Sequence, residues 1–147
     1  QPRLVAWYGD AAQSYSYSGI TLKGLPWTPA LLRIKAKVET LCQSQFNSVL
    51  INYYRDHRDG MGLHSDDEPE WGPAPVIASV TLGAARPFVL KHRYRRDLPN
   101  VKLLLPSSSV LLMQGDTQRY WKHGVPKQTK PCGPRINLTF RRIFSHP

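Results

Sequence analysis

The sequence predicts a mainly β fold with one flanking helix, because β-forming segments dominate the chain after residue 46 and a single helical pattern precedes them. Glycine and proline residues separate these β-forming segments. We place candidate strands at 46–54, 76–82, 86–91, 101–105, 109–114, 118–124 and 135–143. Strands at this spacing are typical of a sandwich, a barrel or a jelly roll.

The helix is predicted from its cap and from its apolar spacing. Thr28 can act as the N-cap, and Pro29 suits the first helical turn. The apolar stripe consists of Leu31, Leu32, Ile34, Val38 and Leu41, and the opposite face carries Lys35, Lys37 and Glu39. We expect this helix to pack on a sheet and to carry no chemistry.

Length and composition indicate one globular domain spanning residues 1–147, which we expect to be monomeric. No apolar run approaches the roughly 18 residues that a bilayer-spanning helix needs, so we expect no membrane partner. The two cysteines, Cys42 and Cys132, are too few for a disulfide framework. Reduced thiols are typical of an intracellular protein, either cytoplasmic in a bacterium or nuclear in a eukaryote.

The net charge of +10 and the pI near 10 suit a polyanionic partner such as nucleic acid, although a generally basic protein would show the same values. The basic clusters are Lys91, Arg93, Arg95 and Arg96, and Arg119, Lys122, Lys127 and Lys130. The acidic residues concentrate at Asp66, Asp67, Glu68 and Glu70. Concentrated carboxylates in a basic protein fit a cationic target, either a metal ion or a positively charged methylated base.

Residues 135–141 carry a polar row where a buried strand would be apolar. If the segment is a strand, alternate side chains share a face. One face then carries Ile136, Leu138 and Phe140, and the other carries Arg135, Asn137, Thr139 and Arg141. The polar row either faces water or binds a small dianion, because arginine pairs with carboxylates through a two-pronged fork.

A candidate metal triad lies upstream of this row. His64 and Asp66 share a face if their segment is extended, and His123 lies far downstream. Two histidines and one carboxylate form the facial triad of non-haem Fe(II) oxygenases, which leaves three coordination positions open. A 2-oxo acid can chelate such an iron, and Arg135, twelve residues after His123, fits its distal carboxylate. The alternative for His123 is a core histidine whose hydrogen bonds are satisfied.

Asn52 and Tyr54 share a face of the strand predicted at 46–54, together with Leu50. If they are buried, both residues need hydrogen-bond partners. The oxygens of a chelating oxo acid would supply such partners, and ordinary strand polarity is the alternative.

Taken together, Asn52-x-Tyr54, His64-x-Asp66, His123 and Arg135-x-Asn137-x-Thr139-x-Arg141 resemble the AlkB family in order and approximate spacing, over nearly the whole chain. The resemblance looks closest to the branch that repairs alkylated duplex DNA, through residues 8–10, 49–52, 66–68, 77–80 and 134–141. It implies a double-stranded β-helix (jelly roll), Fe(II) held by His64, Asp66 and His123, and 2-oxoglutarate and dioxygen as co-substrates. It also implies that the 2-oxoglutarate is bound by Asn52, Tyr54, Arg135, Asn137, Thr139 and Arg141.

The resemblance further implies oxidative demethylation of bases such as 1-methyladenine and 3-methylcytosine in DNA, with the target base flipped out of the helical stack. Tyr17 and His64 would sandwich that base, under a nucleotide-recognition lid at residues 1–27. The residues expected near it are Tyr15, Asp67 and Glu68. The alternatives are that the two acidic residues only orient the ligand loop and that the aromatic lid residues pack in the core. Trp7 is a weak candidate for filling the gap that the flipped base leaves.

Two other functions remain open from the sequence. The same chemistry could act on RNA, on a protein or on a small molecule. The chain could instead be a non-catalytic, basic nucleic-acid-binding β domain whose metal residues are vestigial or structural. That alternative does not explain why the triad, Arg135 and Arg141 are all present.

Overall fold

The computed structural model describes residues 3–10, 14–17 and 20–144, with the backbone alone for residues 14–17 and 20–23. Its strands are β1 (Leu4–Gly9), β2 (Ser14–Tyr17), β3 (Ile20–Lys23), β4 (Ser48–Tyr54), β5 (Met61–His64), β6 (Ile77–Gly83), β7 (Arg86–His92), β8 (Val101–Leu105), β9 (Ser109–Met113), β10 (Trp121–Val125) and β11 (Arg135–Arg141). Its helices are α1 (Pro29–Cys42) and α2 (Thr117–Tyr120), with a 3-10 turn at Pro69–Trp71.

Two antiparallel sheets form the body of the fold. The major sheet has the strand order β1-β4-β11-β6-β9, the minor sheet has the order β5-β10-β7-β8, and β2 and β3 form a separate hairpin. Both sheets contribute to one apolar cluster, which includes Tyr54, Phe88 and Met113, so the sheets pack face to face. The predicted mainly β, jelly-roll fold is confirmed.

Helix α1 packs on the outer face of the major sheet, as expected. Thr28 Oγ1 accepts a hydrogen bond from the Leu31 N–H at 3.1 Å, so the helix begins where the sequence predicts. The prediction was wrong for Leu32 and Leu41, which are 47% and 68% exposed, whereas Cys42 packs against the core. The buried stripe therefore follows positions 31, 34, 38 and 42, at helical spacing. No helix in the described part of the chain is long and apolar enough to cross a membrane.

Residues 1–27, for which we predict a nucleotide-recognition lid, include the strands β1, β2 and β3. Strand β1 is the edge of the major sheet and pairs with β4 along its whole length. In the described part of residues 1–27, strands β2 and β3 pair with each other and with neither of the two sheets. The strand predicted at 118–124 also begins later, at Trp121, because the short helix α2 precedes it.

Strand β11 lies between β4 and β6 in the major sheet and is buried on both faces except at Ile136, which is 38% exposed although the alternation places it on the apolar face. Leu138 and Phe140 pack toward α1, and the polar row on the opposite face is buried as well. The alternative of a water-facing polar row is therefore wrong. In the register with β4, Arg135 lies opposite Tyr54 and Asn137 opposite Asn52, which places the predicted co-substrate residues together.

Candidate metal centre and co-substrate site

The minor sheet and the loop after β5 bring the three predicted metal ligands together. His64 ends β5 and lies directly opposite His123 on β10, with the ring centroids 4.5 Å apart. Asp66 Oδ1 lies 3.6 Å from His64 Nε2, and Asp66 Oδ2 lies 4.0 Å from His123 Nε2. The three candidate ligand atoms all lie within 4.8 Å of one another, a spacing at which they can share one ion.

A hydrogen bond selects the tautomer of His64. Its Nδ1 lies 2.9 Å from the Gly62 carbonyl oxygen, which can only accept, so Nδ1 carries the proton. In the neutral ring, Nε2 then carries the lone pair, and this is the atom that faces Asp66. The protein alone therefore orients the ring as a metal ligand.

Asp66 is held in place by groups from α2 and β11. Its backbone N–H donates to Gln118 Oε1 at 2.8 Å, and Arg141 Nη2 donates to its Oδ2 at 2.9 Å. Burial alone would raise the pKa of Asp66, but Arg141 and the imidazoles of His123 and His64 outweigh burial and lower it. The carboxylate is therefore ionised at neutral pH and available as a ligand.

His123 is neutral at neutral pH. Burial lowers its pKa to about 4, against the opposing charge of Asp66. Its Nδ1 is buried and has no hydrogen-bond partner among the described residues, unlike a satisfied core histidine. Two neutral imidazoles and one carboxylate are the donor set of an Fe(II) facial triad, and the protonation states of Asp66 and His123 suit that ion.

Arg135 lies deeper in the same interior, with 1% of its surface exposed. Its Nη2 donates to Thr81 Oγ1 at 2.9 Å, and its guanidinium lies 5.1 Å from the centroid of the Tyr54 ring. Its Nε and Nη1 are buried without hydrogen-bond partners, and no carboxylate in the described chain pairs with it. Burial lowers the pKa of Arg135, although its guanidinium stays a cation. Burial also raises the pKa of Tyr54. A buried guanidinium with free donors is costly, and it fits an incoming carboxylate.

The triad and part of the polar row of β11 line a narrow cavity of about 50 Å³. Asn52, Asn137, Thr139 and Arg141 line it, whereas Tyr54 and Arg135 lie outside its lining. Thr139 Oγ1 donates to Asn137 Oδ1 at 2.7 Å, so these two residues of the cavity wall are hydrogen-bonded to each other. The volume suits an ion with one or two waters, because a water occupies about 30 Å³ in the liquid.

Sequence reasoning missed two residues of this site. Arg3 is buried, lines the cavity, and donates from Nε to Asn52 Oδ1 at 2.8 Å. Gln118 positions the backbone of Asp66 and was assigned to a strand. A lone arginine before a strand and a glutamine in a short helix carry no local signal for these roles.

The predicted substrate residues occupy different places. Glu68 lines the cavity and accepts a hydrogen bond from Trp71 Nε1 at 2.8 Å. Asp67 is outside the cavity lining, and its Oδ2 lies 3.6 Å from Arg93 Nη1. The side chains of Tyr15 and Tyr17 lie outside the described residues. Trp7 is 2% exposed and packs in the core, so it cannot fill the gap left by a flipped base.

The sequence matches the 2OG-Fe(II) oxygenase superfamily over residues 2–141, and the chain belongs to this superfamily. The name of this superfamily includes the predicted metal, Fe(II), and the predicted co-substrate, 2-oxoglutarate (2OG). Among solved structures, the protein described as "The structure of OsALKBH1" matches with a TM-score of 0.64 and 22% identity, over 97% of this chain and 79% of that chain. This likeness supports the jelly-roll fold.

Curated relatives confirm the resemblance to the AlkB family. The chain is 42% identical over 155 residues to the alpha-ketoglutarate-dependent dioxygenase alkB homolog 3 of Mus musculus, covering 100% of this chain and 54% of the relative. It is 44% identical over 149 residues to the DNA oxidative demethylase ALKBH2 of Homo sapiens, covering 97% of this chain and 57% of the relative. The chain thus spans about half the length of these relatives.

Proposed function

We propose that this chain is the oxygenase domain of an oxidative demethylase that acts on N-alkylated bases in DNA, such as 1-methyladenine and 3-methylcytosine. The observation that carries the proposal is the convergence of His64, Asp66 and His123 near a buried Arg135 that has no carboxylate partner among the described residues. Burying these charges costs stability. A bound metal and a bound dicarboxylate would compensate that cost.

Each residue has a defined role in this proposal. His64, Asp66 and His123 bind Fe(II), and Arg135 pairs with the distal carboxylate of 2-oxoglutarate through its free donors. The remaining co-substrate residues are Asn52, Tyr54, Asn137, Thr139 and Arg141. When bound, iron and 2-oxoglutarate supply the oxidising chemistry: dioxygen oxidises the N-methyl group, 2-oxoglutarate yields succinate and CO2, and the methyl carbon leaves as formaldehyde.

The acidic residues support a cationic base as the target. The methylated bases 1-methyladenine and 3-methylcytosine carry a positive charge, whereas the undamaged bases are neutral. Glu68 in the cavity lining and its neighbour in the chain, Asp67, would favour the charged form. Tyr15 and Tyr17 on the β2–β3 hairpin would stack on the flipped base, a contact typically worth about 1–3 kcal/mol.

The excess of positive charge supports a nucleic-acid substrate. A net charge of +10 favours phosphate contacts, which release counterions from the nucleic acid. A DNA substrate would place the protein inside the cell, in the cytoplasm of a bacterium or the nucleus of a eukaryote. We expect the protein to work as a monomer, because the proposed ligands all come from one chain.

The test is formaldehyde release from a panel of equal-length substrates: single-stranded and duplex DNA with one 1-methyladenine or 3-methylcytosine, the matching RNA, and an N-methylated basic peptide. We expect release from DNA that requires Fe(II) and 2-oxoglutarate and is lost in His64→Ala. An Arg33→Ala variant on the exposed face of α1 is the control for substitution itself. Preference for the peptide or for RNA over DNA would contradict the proposal.

A further inference from the structure

Four aromatic rings meet where β7 ends and β10 begins, and we call His92, Tyr94, Tyr120 and Trp121 the aromatic platform. His92 stacks with Tyr120 at 6.0 Å between centroids and 14° between planes. Trp121 and Tyr94 meet the same imidazole edge-on, at 5.0 and 6.2 Å. The rings of His92, Tyr120 and Trp121 are half-buried, but Tyr94 is 64% exposed and extends the platform into solvent.

The platform continues the wall of the metal site. Trp121 lies two residues before His123 on β10, so both side chains point to the same face, about 7 Å apart along the strand. The register places His92 opposite Trp121 and Leu90 opposite His123, on that face of the minor sheet. Ser65, between the two ligands of the loop, donates from Oγ to the Trp121 carbonyl oxygen at 2.7 Å. A chain leaving the metal site along this wall would therefore meet the platform first.

Cations surround the aromatic rings. The guanidinium of Arg93 lies 5.5 Å from the Tyr94 ring centroid, and that of Arg119 lies 5.2 Å from the Tyr120 centroid. Arg93 also approaches Asp67 at 3.6 Å, which connects the platform to the loop that carries Asp66. Packing alone would explain the half-buried rings, but it does not explain an exposed tyrosine with an arginine over it.

We propose that the aromatic platform binds the part of a single-stranded DNA substrate that lies beyond the immediate neighbours of the target base. The proposal rests on the proposed function. Base–aromatic stacking beside a positively charged path is the general chemistry by which proteins bind single strands. A duplex keeps its bases stacked on each other, so its bases cannot stack on Tyr94 without opening. The platform thus favours a single strand as substrate and holds it beyond the reacting base.

The experiment compares Tyr94→Ala, Tyr94→Trp and the control Tyr53→Ala, which removes a 36% exposed tyrosine from the outer face of β4. Each variant is assayed on a 3-methylcytosine trinucleotide and on a 15-nucleotide single strand with the same lesion. The trinucleotide is too short to engage the whole platform. Binding of an unmodified, fluorescently labelled 15-nucleotide single strand and of its duplex is measured by anisotropy, which is independent of turnover.

We expect Tyr94→Ala to raise KM and Kd for the long single strand at least about fivefold, with kcat and trinucleotide turnover unchanged, and Tyr94→Trp to restore wild-type values. Tyr53→Ala should behave as the wild type. Equal losses on both substrates, no loss on either, or a Tyr94-dependent effect on the duplex alone would overturn the inference. A wild type that binds the strand in a Tyr94-dependent way but demethylates nothing would leave this surface established and refute the proposed function.

Discussion

At the scale of single residues, the protein itself places charged side chains in its interior. Asp66 is ionised although it is 2% exposed, because the guanidinium of Arg141 donates to its carboxylate at 2.9 Å. Arg135 is a cation with two buried donors unused. Apolar residues at these positions would often make the protein more stable, since the desolvation of buried charges can cost more free energy than their interactions contribute. Their presence is best explained by ligands that complete them.

The Arg135→Lys variant tests the role of the guanidinium. Lysine keeps the positive charge but loses the fork, and one charged hydrogen bond typically contributes about 1.5–3 kcal/mol. We therefore expect KM for 2-oxoglutarate to rise about tenfold or more, with little change in DNA affinity. Arg33→Lys on α1 is the matched control. A change in DNA affinity with an unchanged requirement for 2-oxoglutarate would refute the assigned role.

The pKa of His123 predicts how the metal-free protein responds to acid. Its folded-state pKa of about 4 lies below the ordinary value of 6.5, so the unfolded chain takes up the proton first as the pH falls. The stability from the neutral imidazole is complete above about pH 6.5 and is lost down to about pH 4, up to roughly 3 kcal/mol. The lowered pKa of Asp66 acts in a more acidic range.

Urea unfolding in the presence of a chelator, at several pH values between 7 and 4.5, measures this loss. The His123→Gln variant has no imidazole at this position, so its unfolding free energy should fall less over the same interval. Equal pH dependence in the wild type and the variant would show that His123 is not the group responsible.

At the scale of elements, local patterns predicted most of the sheet. The alternation of polar and apolar residues along β11 predicted its two faces, and the N-cap Thr28 predicted the start of α1. Both signals lie within a few neighbouring residues. Strand β5 was not predicted, since it has four residues and contains Gly62. Arg3 and Gln118 act on groups 49 and 52 residues away, a relation set by the tertiary fold and not by any local pattern.

The close approach of β10 to β5 depends on Gly124. A Cβ at this position would lie 2.7 Å from the Met61 carbonyl oxygen, whereas a Cβ at Gly62 would meet nothing within 4 Å. Because backbone cannot rotate away as a side chain can, Gly124→Ala should push β5 aside and separate His64 from His123. We expect a loss of about 1–3 kcal/mol in stability and at least about tenfold in affinity for Fe(II) or Co(II).

Gly62→Ala is the matched control, since it adds the same methyl group to the partner strand in open space. Metal titration and thermal unfolding of both variants give the comparison. Equal metal affinity in the two variants would contradict the claim that strand spacing sets the site.

At the scale of the whole molecule, two buried cations lie on the same side of the interior. Arg86 is fully buried and lies 5.8 Å from the Tyr54 ring centroid, and Arg135 lies 5.1 Å from it. Arg86 donates to the carbonyl oxygens of Asp59 and Pro126, each at 2.9 Å, but to no carboxylate among the described residues. We therefore expect the buried positive charge to reduce stability and a bound dianion to offset part of that cost.

Dicarboxylates should accordingly stabilise the protein against heat. At about a hundredfold excess over Kd, 2-oxoglutarate or succinate should raise Tm by about 8 °C, because ligand binding of that strength adds about 2.7 kcal/mol. Propionate and sodium chloride at matched ionic strength serve as controls for a single carboxylate and for salt. An equal rise with propionate would indicate nonspecific anion binding.

The most direct test of the central claim is an anaerobic titration of the protein with Fe(II) and 2-oxoglutarate, followed by visible absorption. The account predicts a weak charge-transfer band that appears only with both ligands present and is lost in His64→Ala and in Asp66→Ala. A band that is unchanged in these two variants, or no band in the wild type, would contradict the assignment of the metal centre.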